Sequence, residues 1–228
     1  VELMQALADE GADIIELGIP FSDPLADGPT IQQSSFVSLA GGTTVESVLS
    51  DLRAYRSVGN APVVLFTYLN PILRFGLDAF LGSAVDSGAS GLLITDLPAG
   101  ADPDLEDRIR ASGLDLIRLV APTTPPERVP RIADTGSGFL YYISRTGVTG
   151  ARAVLRDDLA EEVERLRAAQ SLPVAVGFGI STPDQARTVA DVADGVVVGS
   201  ALIQTLAAEG IRGAADFIAS LRQGMDAG

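Results

Sequence analysis

The chain has 228 residues, 46% of them hydrophobic, with 16 cationic and 30 acidic side chains and a formal net charge of −14 at pH 7. A chain of this length can bury a sizeable core in one domain, and its acidity and scattered cations speak against nucleic acid or an anionic membrane as partners. All 16 cations are Arg, and His, Cys and Lys are absent, which excludes a lysine Schiff base, a Ser-His-Asp or Cys-His nucleophile, disulfides and ordinary zinc or iron ligation by these residues.

In chain order, the sequence opens on an amphipathic segment with Leu3, Met4 and Leu7 on one face. Short apolar runs then recur at residues 13–17, 62–67, 91–95, 115–119, 139–143, 173–176 and 195–198. Predominantly apolar, they are predicted to be parallel strands buried on both faces. Between them lie helical periodicities, such as Leu155, Leu159, Val163 and Leu166, or Ala186, Val189, Ala190 and Ala193. Gly88 and Gly113 stand where helices should stop, and Ser181, Thr182, Pro183 and Asp184 where one should start. The proline-rich patch at 122–130 is expected to be a loop running into a helix. No run approaches the roughly 20 apolar residues of a membrane span. Nor is there a basic-then-apolar opening, so the cytoplasm is the expected location.

Strict strand–helix alternation means either an open doubly wound sheet or a closed barrel. No G-x-G-x-x-G follows an early strand, and the glycine-rich turns come after the last two strands, where barrels hold phosphate. The expected fold is therefore α/β, a TIM (β/α)8 barrel, with residues 1–228 forming a single domain. Closure needs eight strands and the sequence offers seven, with Val1 already in the helix that should follow the first. The first strand is accordingly expected to be absent and the domain N-terminally incomplete.

Glu16 ends the apolar run at 13–17. This predicts a carboxylate at the C-terminal mouth of the barrel, where active sites of this fold lie. Burial would raise its pKa and make it a proton carrier near neutral pH, although an ion pair with an Arg is an equally physical role. Asp27 lies in the turn Ala26–Asp27–Gly28–Pro29, where capping the turn is its plain role. The backbone N–H groups of Gly179, Gly199 and Ser200 could converge on a phosphate near a helix N-terminus, or the glycines could simply make tight turns.

The run ELGIPFSDPLADGPTIQ at residues 16–32 resembles the signature of tryptophan synthase alpha subunits. SRTGVTG at 144–150 resembles that family's mobile lid, and GFGI at 177–180 with Gly199 and Ser200 resembles its phosphate cradle. The motifs follow the family's order along essentially the whole chain. The resemblance implies a lyase that splits indole-3-glycerol phosphate into indole and glyceraldehyde 3-phosphate, without a cofactor of its own. It implies that Glu16 shuttles the proton and Asp27 holds the indole N–H. It also implies phosphate contacts from Gly150, Gly179, Gly199 and Ser200, and pocket walls from Tyr68, Leu93, Tyr141 and Phe178, any of which could equally be core. Arg145 and Thr149 would belong to the lid and Asp96 would help organise it, with helix capping the rival role for Asp96. The implied partner is a pyridoxal-phosphate beta subunit in an alpha2-beta2 assembly. The alternatives are a free-standing lyase, a catalytically silent barrel subunit binding a partner through the 20–27 loop, and a phosphoribosyl isomerase. Retention of both Glu16 and Asp27 speaks against the silent subunit. The isomerase would place its catalytic Asp on a first strand and would not need the 16–32 run.

Overall fold

The structure, a computed structural model, describes residues 1–143, 158–177 and 179–227. The chain forms two compact units, Val1–Leu116 and Ile117–Gly228. The first contains α1 (Glu2–Asp9), β1 (Ile15–Gly18), α2 (Pro29–Ala40), α3 (Val45–Tyr55), β2 (Val63–Thr67), α4 (Leu69–Phe75), α5 (Leu77–Asp86), β3 (Gly91–Ile94), α6 (Pro103–Ala111) and the start of β4 (Asp115–Val120). The second contains the rest of β4, a 3-10 turn at Pro126–Arg128, α7 (Val129–Asp134), β5 (Leu140–Ile143), α8 (Leu159–Ala169), β6 (Val174–Gly177), α9 (Pro183–Ala190), β7 (Gly195–Val197) and α10 (Ser200–Asp226). The described residues thus hold seven strands, one for each apolar run.

Local chemistry sets the helix ends. Thr182 caps α9 by accepting from the N–H of Gln185, with Pro183 in the first turn where its missing N–H costs nothing. Gly88 and Gly113 follow α5 and α6 at φ +88°, a left-handed conformation that glycine adopts without a Cβ penalty. At α3, Thr44 and Ser47 form a reciprocal capping box that helical periodicity alone does not reveal. Helix α8 buries Leu159, Val163 and Leu166 at the expected spacing, whereas Leu155 lies outside the described residues.

In the first unit β1, β2 and β3 pair in parallel, Glu16 opposite Val64 and Val64 opposite Gly91. Ile15, Val63, Leu65, Leu92 and Ile94 pack with Leu49, Leu52, Phe80 and Leu81 of α3 and α5. Each such side chain contributes about 1.5–3 kcal/mol when fully buried. Because strand side chains alternate, Glu16, Gly18, Val64, Phe66 and Leu93 occupy the opposite face of the sheet from this helix-covered core. In the second unit β4, β5, β6 and β7 also pair in parallel, and α9 packs on α10. Val163, Leu140, Val174, Val176, Ala186 and Val189 are fully buried there. Among the described residues no helix is long and apolar enough to cross a membrane.

Candidate active site

Glu16 is the second of four residues in β1, and the ladder runs one residue beyond the expected Leu17, with Leu17 and Gly18 pairing with Leu65 and Phe66. Although the residue as a whole is only partly buried, its Oε1 is closed off from solvent and has no hydrogen-bond partner among the described residues. No side chain beside it in the ladder can donate, since Val64 is its partner and Gly91 the next. Loss of hydration without a compensating donor pushes this carboxyl from 4.5 up to about 7. A group poised there can both give and take a proton at neutral pH.

Asp27 is held by a residue 41 positions away. The Tyr68 hydroxyl donates to Asp27 Oδ2 at 3.0 Å and accepts the N–H of Ala26 at 2.9 Å. This carboxylate therefore reaches across to β2's end and does not close its own turn, which is secured by the Asp27 N–H donating to Pro24 O at 3.1 Å. Burial raises the Asp27 carboxyl above its usual range, and the Tyr68 hydrogen bond offsets part of that rise. Burial and the neighbouring Asp27 charge in turn push the Tyr68 phenol up to about 12, so it remains a donor.

Two residues beyond the expected set complete this cluster. The Phe21 ring lies 5.3 Å from that of Tyr68, tilted by 37°. Gln32 Nε2 donates to Asp27 O at 2.9 Å and so ties the start of α2 to the loop. Both stand within the 16–32 run, but nothing in their spacing names these partners. Leu93 is fully buried on β3, on the Glu16 face. Asp96 is exposed, and its Oδ1 accepts the backbone N–H of Leu69 at 2.7 Å, a helix-capping contact at the start of α4.

In the second unit, Tyr141 lies on β5 between Leu119 and Ala175. Gly177 makes room for it: a β-carbon at 177 would stand 2.4 Å from Tyr141 Oη and 2.7 Å from its ring carbons. Gly177→Ala is thus an overpacking change and should cost about 1–3 kcal/mol in a denaturant titration; an unchanged midpoint would mean that the ring moves aside freely. Gly179 is exposed with φ +82°, so any side chain there is strained. Gly199 is the N-cap of α10 and Ser200 its first residue, with no side chain capping that end. The first N–H groups of a helix lack intrahelical acceptors, and among the described residues no side chain caps them here. Arg145, Thr149, Gly150 and Phe178 lie outside the described residues.

A profile of the tryptophan synthase alpha chain matches residues 1–226. The chain belongs to that family. The tryptophan synthase alpha chain of Geobacter sp. (strain M21) is 48% identical over 219 residues, 94% of this chain and 82% of the relative. That of Burkholderia pseudomallei (strain 1106a) is 47% identical over 231 residues, covering 99% and 85%. Among solved structures, tryptophan synthase of Mycobacterium tuberculosis superposes with a TM-score of 0.89 at 39% identity, covering 98% of this chain and 85% of that one. Tryptophan synthase subunit alpha of Legionella pneumophila gives 0.87 at 37%, covering 99% and 86%. Membership fixes the fold class as the α/β TIM barrel expected from the strand–helix alternation together with the glycine-rich turns after the last two strands, and the role as a lyase of tryptophan biosynthesis.

Proposed function

We propose that this chain cleaves indole-3-glycerol phosphate to indole and glyceraldehyde 3-phosphate, with Glu16 as proton carrier and Asp27 as the charge that stabilises the indole N–H. The observation that carries this reading is the pair of carboxylates in two environments, Glu16 with its Oε1 closed off from solvent and without a hydrogen-bond partner among the described residues, Asp27 hydrogen-bonded to Tyr68. Family membership supports it.

The chemistry needs no more than these groups. Glu16 in its acid form gives a proton to indole C3, leaving positive charge on the ring nitrogen, which the Asp27 carboxylate stabilises. The glycerol hydroxyl then loses its proton to the Glu16 carboxylate. The oxygen's electrons form the aldehyde, and those of the carbon–carbon bond return to the ring. One proton enters at carbon and one leaves from oxygen, so the enzyme is restored. Two carboxyls pushed into different roles by their surroundings are a recurrent solution to acid–base work at neutral pH.

The substrate phosphate is assigned to the backbone N–H groups of Gly179, Gly199 and Ser200, with Gly150. Tyr68, Leu93, Tyr141 and Phe178 are assigned to the pocket, and Arg145, Thr149 and Asp96 to the lid. Gly199 offers the cleaner probe of the anion site, because its φ of −116° suits any residue and a β-carbon there would meet no protein atom within 4 Å. Gly199→Ala should keep the melting temperature and weaken inorganic phosphate binding by about 2 kcal/mol, the scale of one hydrogen bond to a charge. Phosphate binding equal to wild type by calorimetry would remove Gly199 from the site.

As an alpha chain it would work with a pyridoxal-phosphate beta subunit that joins indole to serine, in an alpha2-beta2 assembly. The deciding experiment incubates the chain with indole-3-glycerol phosphate, alone and with a tryptophan synthase beta subunit, and follows indole and aldehyde together. Equal amounts of both are expected. Absence of both products in both arms would refute the reading.

A further inference from the structure

We propose that Asp96 is a positioning residue for Asp27, acting through Tyr68; this rests on the catalytic role proposed for Asp27. Tyr68 is the single residue between the last residue of β2 and the first of α4, in an extended conformation with φ −106° and ψ 163°. Its peptide neighbours are gripped on both sides from the end of β3. On one side Thr95 donates to Thr67 O, from its backbone N–H at 3.0 Å and its hydroxyl at 3.3 Å. On the other, Asp96 Oδ1 accepts the Leu69 N–H at 2.7 Å, a helix-start donor that no side chain of α4's own cap satisfies. Backbone held at 67 and 69 fixes the point and direction from which the Tyr68 side chain leaves the chain, and the Phe21 ring packs against the phenol that extends from it. At its tip the phenol oxygen accepts from Ala26 N–H, which directs the hydroxyl proton to Asp27. Tyr68 is 5% exposed whereas Asp96 is exposed, so trimming Asp96 opens no cavity and strands no buried charge. What it releases is the start of α4, and with it the reach of the phenol.

The test is a double-substitution cycle on the full chain, read by indole release from indole-3-glycerol phosphate. Asp96→Ala should lower kcat by about 10- to 100-fold, the scale of a small misplacement of a catalytic group, with KM little changed. Asp96→Asn keeps an acceptor oxygen for Leu69 and should restore most of the rate. In the Tyr68→Phe background, Asp96→Ala should add nothing, because the two act on one contact. Losses that multiply in the double variant, or an Asn variant as slow as the Ala one, would overturn the relay. A second readout does not depend on turnover: the Asp27 carboxyl, followed by 13C NMR titration, should move upward in Asp96→Ala as in Tyr68→Phe, since the Tyr68 hydrogen bond lowers it. An Asp27 titration unmoved by Asp96→Ala overturns the relay even in a chain that cleaves nothing, while an inactive wild type with the NMR shift present refutes only the functional reading.

Discussion

Glu16→Gln is expected to lose indole release by about 10²–10⁴-fold, the usual contribution of a positioned general acid–base, and to gain stability above neutral pH. Gln keeps the shape of the side chain and lacks the transferable proton, so substrate binding should survive. The stability gain follows from the direction of the pKa shift. Burial raises the Glu16 carboxyl from 4.5 to about 7, so the folded chain holds this proton more tightly than the unfolded one. Its contribution is fully present below pH 4.5 and is lost progressively as pH rises to about 7. Above that pH the carboxylate is ionised with its Oε1 cut off from water, and the accumulated loss is about 3 kcal/mol. Chemical denaturation of both proteins at pH 4.5 and pH 8 checks this: the wild type should lose about that much relative to Glu16→Gln across the interval. A difference that stays flat would mean that Glu16 is solvated, and turnover within tenfold of wild type would remove it from the chemistry.

Asp27→Asn should cost about 10²–10³-fold in kcat, or roughly 3–4 kcal/mol, as for loss of one preorganised electrostatic contact. The amide still offers Tyr68 an oxygen to donate to, and the turn is secured by the Asp27 backbone N–H, so the melting temperature should barely move. The two readouts separate the roles that the sequence allows. A variant that turns over normally but melts earlier would make Asp27 a structural turn residue, and Asp96, acting through Tyr68, would then have nothing to position.

The strands could be read along the chain because each is a short, predominantly apolar run, and the helix ends because Thr182, Gly88 and Gly113 act on their own neighbours within one turn. Residue type also limited the chemistry, since a stretch without Lys, His or Cys leaves proton transfer to carboxyls and hydroxyls. The 16–32 run carried the family resemblance. What the sequence left open were pairings between residues far apart in the chain. A strand that is apolar on both faces has no alternation to show which face Glu16 takes, and only its register against Val64 and Gly91 places it away from α3 and α5, with no donor beside it in the ladder. Asp27 and Asp96 each had a local capping role open to them. The tertiary structure turned Asp27 to Tyr68, 41 residues on, and Asp96 to Leu69, 27 residues back. It likewise separated two glycines that look alike in the sequence, Gly177 kept small by the Tyr141 ring and Gly179 by a positive φ. Propensity acts over a few residues, whereas a pKa or a hydrogen-bond partner depends on which side chains the strands bring within about 3 Å, and that distance exists only once the sheet has formed.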